Sequence, residues 1–171
     1  MDNLMRRILV PAAALVLALV AVACSGGGTD PTLPAPYRSP SGTATNVIDP
    51  NKTITIYASP DCGCCHDYIP YLVDNGYLVD EVSVQDINAP KLKYGVPEAA
   101  WSCHTSVIGK YFIEGHVPVE AIDKLLAGEP NIDGIALPGM PSGSPGMNGE
   151  KTEPFEIVAI KDGVIKPFMT I

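Results

Sequence analysis

Thr53-Ile54-Thr55-Ile56-Tyr57-Ala58-Ser59-Pro60-Asp61-Cys62-Gly63-Cys64-Cys65-His66 is the stretch on which the reading of this 171-residue chain turns. Its first six residues are rich in β-branched and aromatic side chains and alternate in character, which predicts a strand. Ser59-Pro60-Asp61 has the chemistry of a turn. Cysteines then occupy Cys62, Cys64 and Cys65, at the start of a segment with Ile69, Leu72 and Val73 among its apolar residues. That segment predicts a helix to about Asn75, with Pro70 as a kink and Asn75-Gly76 as its stop. Three cysteines so closely spaced cannot all point inward from a regular helix, but at a turn-to-helix junction they can converge. The helix N-terminus there favours thiolate.

Working toward the C-terminus, Tyr77 to Val84 reads as a second strand and Pro90 to Tyr94 as a short helix. Val107-Ile108 and Tyr111-Phe112-Ile113 flank Gly109-Lys110, a two-residue hairpin turn with glycine first. Pro118 suits the first helical position. Val119, Ile122, Leu125 and Leu126 then share a face, and Gly128-Glu129-Pro130 ends the helix. Ile135 to Met147 reads as a loop in which Pro-Gly-Met recurs, ending at Met140 and Met147. Phe155–Ile160 and Val164–Ile171, around Lys161-Asp162-Gly163, read as a terminal hairpin. The expected class is α/β: a β-α-β-(α)-β-β-α core, a Gly/Pro/Met loop and a β-hairpin.

Working toward the N-terminus, Asp49-Pro50 closes a Pro/Ser/Thr/Gly-rich stretch that begins with Gly26-Gly27-Gly28. Such a segment buries too little apolar surface to fold and reads as a tether. Before it, Arg6-Arg7 precedes an apolar run from Ile8 to Ala23, shorter than the roughly 20 residues a spanning helix needs. This is the form of an export signal. Val20-Ala21-Val22-Ala23-Cys24 resembles the lipobox of bacterial lipoproteins, with Ala21 where leucine is usual. In that family the cysteine becomes the acylated N-terminus. The expected organisation is a signal peptide over residues 1–23, a lipidated tether from Cys24 over 24–50, and a folded domain over 51–171. The expected location is outside the cytoplasm, anchored to a membrane through the lipid and facing the periplasm or cell exterior.

A formal net charge of −8 and the absence of a basic run after Arg7 speak against nucleic-acid binding, which needs clustered Lys and Arg. The chemistry lies in the cysteines. Thiolates and thioethers are soft donors that select Cu(I) or zinc over magnesium or calcium. The candidate metal ligands are Cys62, Cys64, Cys65, Cys103 and His104, with His66, His116, Met140 and Met147 as further donors. Copper as Cu(I) is the expected ion, with zinc second. Blander roles compete: structural disulfides for the cysteines, a solvated helix position for His66, a cap or loop role for His116, and loop packing for the methionines. Cys64 and Cys65 are poorly placed to pair with each other. A literal C-x-x-C-H, the haem c attachment pattern, runs from Cys62 to His66. Its position after a strand and the extra thiol of Cys64 argue against that reading. The enzymatic alternative is a thiol–disulfide oxidoreductase with Cys62 as nucleophile and Cys65 as resolving thiol.

The element order, with a C-x-x-C pair just after the first strand, resembles the thioredoxin fold over roughly Thr53 to Gly128. That family carries a proline loop facing the cysteine pair. Here the corresponding place reads Ser102-Cys103-His104-Thr105, so the resemblance implies that Cys103 and His104 sit against Cys62 and Cys65. Cys62-Gly63-Cys64-Cys65, Gly95-Val96-Pro97-Glu98, Ser102-Cys103-His104-Thr105, Glu114-Gly115-His116-Val117-Pro118, Pro138-Gly139-Met140-Pro141 and Gly143-Ser144-Pro145-Gly146-Met147 occur in that order. Together they resemble the bacterial domain-of-unknown-function family four-eleven, thioredoxin-like exported proteins linked to copper resistance and also called CopI-like. The resemblance implies a metal-binding protein of copper resistance; the expected partners are a metal ion, the membrane through the lipid and, as a candidate, a copper-accepting protein.

Overall fold

The structure, a computed structural model, describes residues 49–171. The expected signal segment, the lipidation of Cys24 and nearly all of the tether lie outside the described residues. Pro50–Lys52 forms a 3-10 turn whose Asn51 N–H donates to the Asp49 carboxylate.

Strand β1 (Thr53–Ala58) leads into helix α1 (Gly63–Asp74), then strand β2 (Leu78–Ser83), helix α2 (Asn88–Lys93), strands β3 (Thr105–Ile108) and β4 (Tyr111–Glu114), helix α3 (Val119–Gly128), and strands β5 (Gly134–Ala136), β6 (Glu156–Lys161) and β7 (Val164–Thr170). The β-α-β-α-β-β-α order expected over the first part of the domain is therefore present. Among the described residues, one sheet holds all seven strands in the order β2-β1-β3-β4-β5-β6-β7. The β1–β2 and β4–β5 pairs are parallel and the others antiparallel. The mixed α/β class read from the sequence holds.

Alternation along the strands divides the interior into two layers, because successive side chains leave a strand on opposite faces. Ile54 and Ile56 of β1, Ile113 of β4, Ile135 of β5 and Ile157 of β6 pack with Tyr68 and Leu72 of α1 and Ile122 and Leu125 of α3. Phe112, Ala136 and Ile160 face the other way and pack with Val96 and Ala100. The second layer is small and is closed by the segment that follows α2.

Three sequence expectations need correction. Ile135-Ala136, read as loop, lies in strand β5, inserted between β4 and β6. A strand of three residues is too short to show a period. Gly134 is glycine because a Cβ there would collide with the Phe112 carbonyl and ring. Pro118 is the residue before α3, in extended conformation (φ −61°, ψ 145°), rather than its first helical residue. Its carbonyl accepts the Ala121 N–H at 3.0 Å, so proline here turns the chain into the helix from outside it. The final turn is Asp162-Gly163, both at positive φ, with Lys161 inside β6. Two adjacent positive-φ residues match the right-handed twist of the strands they join.

The two sheet margins differ in character. β2 is almost wholly exposed and carries Asp80 and Glu81. β7 contains Pro167, and its pairing with β6 shifts register between Ile157 and Val158. Among the described residues no helix is long and apolar enough to cross a membrane.

Candidate metal centre

α1 begins at the cysteines. Cys62 is its N-cap, and its carbonyl accepts the N–H groups of Cys65 (3.1 Å) and His66 (3.2 Å). The N-cap and first turn thus hold Cys62, Cys64 and Cys65 within one turn of helix. Cys103 arrives on the segment just before β3, and the antiparallel β1–β3 pairing, Tyr57 opposite Thr105, brings that segment to the C-terminal end of β1 where α1 starts. The Cys103 sulfur lies 3.0 Å from that of Cys62, 3.3 Å from Cys64 and 3.2 Å from Cys65, and Cys62 and Cys64 are 3.5 Å apart. Cys62 and Cys65 are joined as a disulfide, while Cys64 and Cys103 are free thiols. Four sulfurs from two stretches 38 residues apart thus occupy one place.

A second donor group adjoins the first and shares two of its members. Cys65, Cys103, His104 and His116 offer ligand atoms within 4.8 Å of one another. His104 is fully buried, and neither ring nitrogen has a hydrogen-bond partner among the described residues. His116 is 1% exposed; its Nδ1 lies 2.6 Å from the Pro145 carbonyl, and its Nε2 has no partner. Buried polar nitrogens are nearly always paired, so three unpartnered imidazole nitrogens beside two cysteines are a strong chemical signal. The rings are held by Tyr68, whose centroid is 5.1 Å from His104 and 5.2 Å from His116, and whose hydroxyl donates to the Val117 carbonyl at 2.5 Å. Soft sulfurs with borderline imidazoles are a donor set that fits copper or zinc, and the sulfur-rich part favours Cu(I).

The loop between β5 and β6 encloses the site. Gly139 bridges to Ser102, with its N–H on the Trp101 carbonyl at 3.1 Å. Gly146 (φ +77°) lies directly on α1: a Cβ there would sit 2.7 Å from the Tyr68 nitrogen and 2.8 Å from the Cys64 carbonyl. Each Pro-Gly-Met repeat therefore docks its glycine against an element of the site. Met140 is 59% exposed, and Met147 is half-buried.

The structure brings Cys62, Cys64, Cys65, Cys103, His104 and His116 together. It does not bring in His66, which lies exposed with its Nε2 3.0 Å from Glu81 of β2. The residue after Cys65 is rotated about 100° around the helix and so faces outward. His116, read as a further donor with a cap or loop role competing, is buried beside the cysteines with its Nδ1 on the Pro145 carbonyl. Sequence reasoning missed Tyr68 and Lys91. Lys91 is 2% exposed and pairs at 2.5 Å with the fully buried Glu114. The one signal was Glu114 itself, a carboxylate ending the apolar run Tyr111-Phe112-Ile113.

Burial, reinforced by the Cys64 contact, pushes the Cys103 thiol up to about 12, so without metal it carries its proton. Burial also holds His104 and His116 below the ordinary imidazole value; the charges of His116 and Lys91 add to this at His104, and the Pro145 carbonyl opposes it at His116. The neutral rings give the metal-free protein an acid limit. As pH falls through about 6.5, the unfolded chain takes up protons that the folded one refuses, so stability present above that pH is lost below it. The melting temperature of the metal-free protein is expected to fall between about pH 7 and pH 5, and His104→Leu should flatten that dependence. A calorimetric pH series checks it; equal slopes in the two proteins would show that His104 does not contribute.

The family described as protein of unknown function DUF411 matches residues 100–147, the part holding Cys103, His104, His116 and both Pro-Gly-Met repeats. No curated protein matches the chain. Two solved structures, both titled copper resistance protein CopG (forms 2 and 1), are 38% identical to it with TM-scores of 0.65 and 0.64. The similarity covers 70% of this chain and 97% and 96% of those two. Alike in sequence to copper resistance protein CopG over nearly all of that protein's length, the chain belongs to the copper-resistance-associated DUF411 family.

Proposed function

We propose that this chain is an exported, lipid-anchored copper-handling protein that binds Cu(I) in preference to zinc. The proposed ligands are Cys62, Cys64, Cys65 and Cys103, with His104 and His116 in the adjoining group; Met140 and Met147 are candidates for further soft contacts. The observation that carries this reading is the meeting of four sulfurs from two distant stretches beside imidazole nitrogens that have no partner among the described residues. Buried, unpaired donors cost stability, and a metal ion would offset that cost. Use of all four sulfurs requires the Cys62–Cys65 disulfide to be reduced, taking up two electrons and two protons from an external dithiol that leaves as a disulfide. Metal binding as thiolate then releases protons, including the one held on Cys103. The protein purified anaerobically under reducing conditions is expected to retain at least one copper per chain and to prefer Cu(I) over Zn(II) in chelator competition. No retained copper would sink this reading.

The Cys62–Cys65 disulfide supports a second reading, a thiol–disulfide oxidoreductase. Against it stand two free thiols within 3.5 Å of that pair, which would intercept any mixed disulfide formed with a substrate. Insulin reduction no faster than by a cysteine-free variant is expected. Turnover comparable to that of a dedicated dithiol reductase would favour the enzyme.

A further inference from the structure

Cys103 and His104 sit on an irregular segment between a 3-10 turn, Glu98–Ala100, and β3. Such a segment has no ladder of its own to fix it. Its backbone is held by the bridge from Gly139 to Ser102 and by the Gly115 N–H on the His104 carbonyl at 2.8 Å, and a single carboxylate reaches both of its ends. Glu114 ends β4 directly opposite Thr105 in the β3–β4 register. Its Oε1 accepts the Ser102 N–H at 2.7 Å, and its Oε2 accepts the Thr105 hydroxyl at 2.7 Å. These two bonds bracket Cys103 and His104 and leave both side chains free. Lys91, behind the segment, donates to the same Oε1 at 2.5 Å.

A buried ion pair is a poor means of stabilising a fold, because desolvation of the two charges consumes much of their attraction. Thr105, Glu114 and Lys91 are nonetheless all nearly or fully inaccessible. The Ser102 N–H and Thr105 hydroxyl need an acceptor with two oxygens at one place, and a carboxylate held from behind by an ammonium supplies it. We propose that Glu114, held by Lys91, is the positioning residue of the metal centre: it clamps both ends of the Ser102–Thr105 segment and so presets Cys103 and His104 toward the α1 cysteines. The clamp rests on the copper-binding reading for its purpose but not for its existence. A preset segment spares the ordering cost that a mobile one would meet on capturing an ion.

Two paired variants of the full chain separate the clamp from the charge. Lys91→Met with Glu114→Gln removes both charges, yet its amide can still accept from Ser102 and donate to the Thr105 oxygen. Lys91→Met with Glu114→Leu removes the charges and the clamp together. Two measurements are made: amide hydrogen exchange at Ser102–Thr105 in the metal-free protein, and Cu(I) affinity by chelator competition. The glutamine pair is expected to stay within about threefold of wild type in both, whereas the leucine pair should exchange at least about tenfold faster and bind Cu(I) at least about tenfold more weakly. Thr105→Val, which cuts one bond and leaves the ion pair intact, should shift both readouts the same way by less, and it decides the matter if the leucine pair does not fold. Wild-type exchange and affinity in the leucine pair, or in Thr105→Val when that stands in for it, overturn the proposal. Equal weakening in both folded pairs also overturns it, since the charge rather than the hydrogen bonds would then be at work. If wild type itself binds no copper, the metal reading fails, while the exchange rates still decide whether the segment is clamped.

Discussion

Replacing Cys103 by serine is expected to weaken Cu(I) binding by about a hundredfold or more, equivalent to about 2.7 kcal/mol, while leaving the melting temperature of the metal-free protein nearly unchanged. Cys103 is the hub of the centre: its sulfur lies within 3.3 Å of each of the other three, and it belongs to both donor groups. Its removal therefore takes a soft ligand from any ion held by either group, and a serine hydroxyl is a poor substitute for a thiolate toward Cu(I). The fold should tolerate the change, because the side chain is half-buried at the edge of the apolar core and serine keeps its shape. Chelator competition together with a thermal melt checks both halves of the expectation. Unchanged affinity would remove Cys103 from the site, and a large loss of melting temperature would show that its role is packing.

Glu114→Ala is expected to cost the metal-free protein about 3–5 kcal/mol, the usual penalty for breaking a buried ion pair by removing one partner. The alanine strands the Lys91 ammonium in the interior, where it is 2% exposed, and leaves the Ser102 N–H and the Thr105 hydroxyl without the acceptor they share. Adding Lys91→Met should recover much of the loss, since the uncompensated charge is then gone and only the orphaned donors remain. Urea denaturation of the two variants measures the difference. A loss below about 1 kcal/mol in Glu114→Ala would mean that water reaches Lys91 and that the pair is not sealed off.

Much of the fold was legible because its signals are local. The alternation in Thr53–Ala58, the apolar face of Val119–Leu126 and the glycine turns at Gly109 and Gly163 each act over a few residues, and each gave its element. Strand β5 was not legible, since Gly134-Ile135-Ala136 becomes a strand only by lying between β4 and β6. In the site, the convergence of Cys103 on the first cysteines, 38 residues away, was expected only from the resemblance to the thioredoxin order, since nothing local in the sequence calls for it. His116 and Lys91 could not be placed, because their burial depends on neighbours distant in sequence: Pro145 for the first and Glu114 for the second. His66 shows the opposite failure. Its spacing from Cys62 imitates a ligand motif, but the helix turns it outward to Glu81.

The margins of the sheet have a colloidal consequence. An open strand margin recruits strands from other molecules, and the hazard grows with crowding. Here one margin presents the carboxylates of Asp80 and Glu81, which repel their own kind. The other is β7, whose Pro167 supplies no amide hydrogen and which is itself bulged at the neighbouring Phe168. Neither margin makes a flat template, so both work against strand addition between copies as their concentration rises.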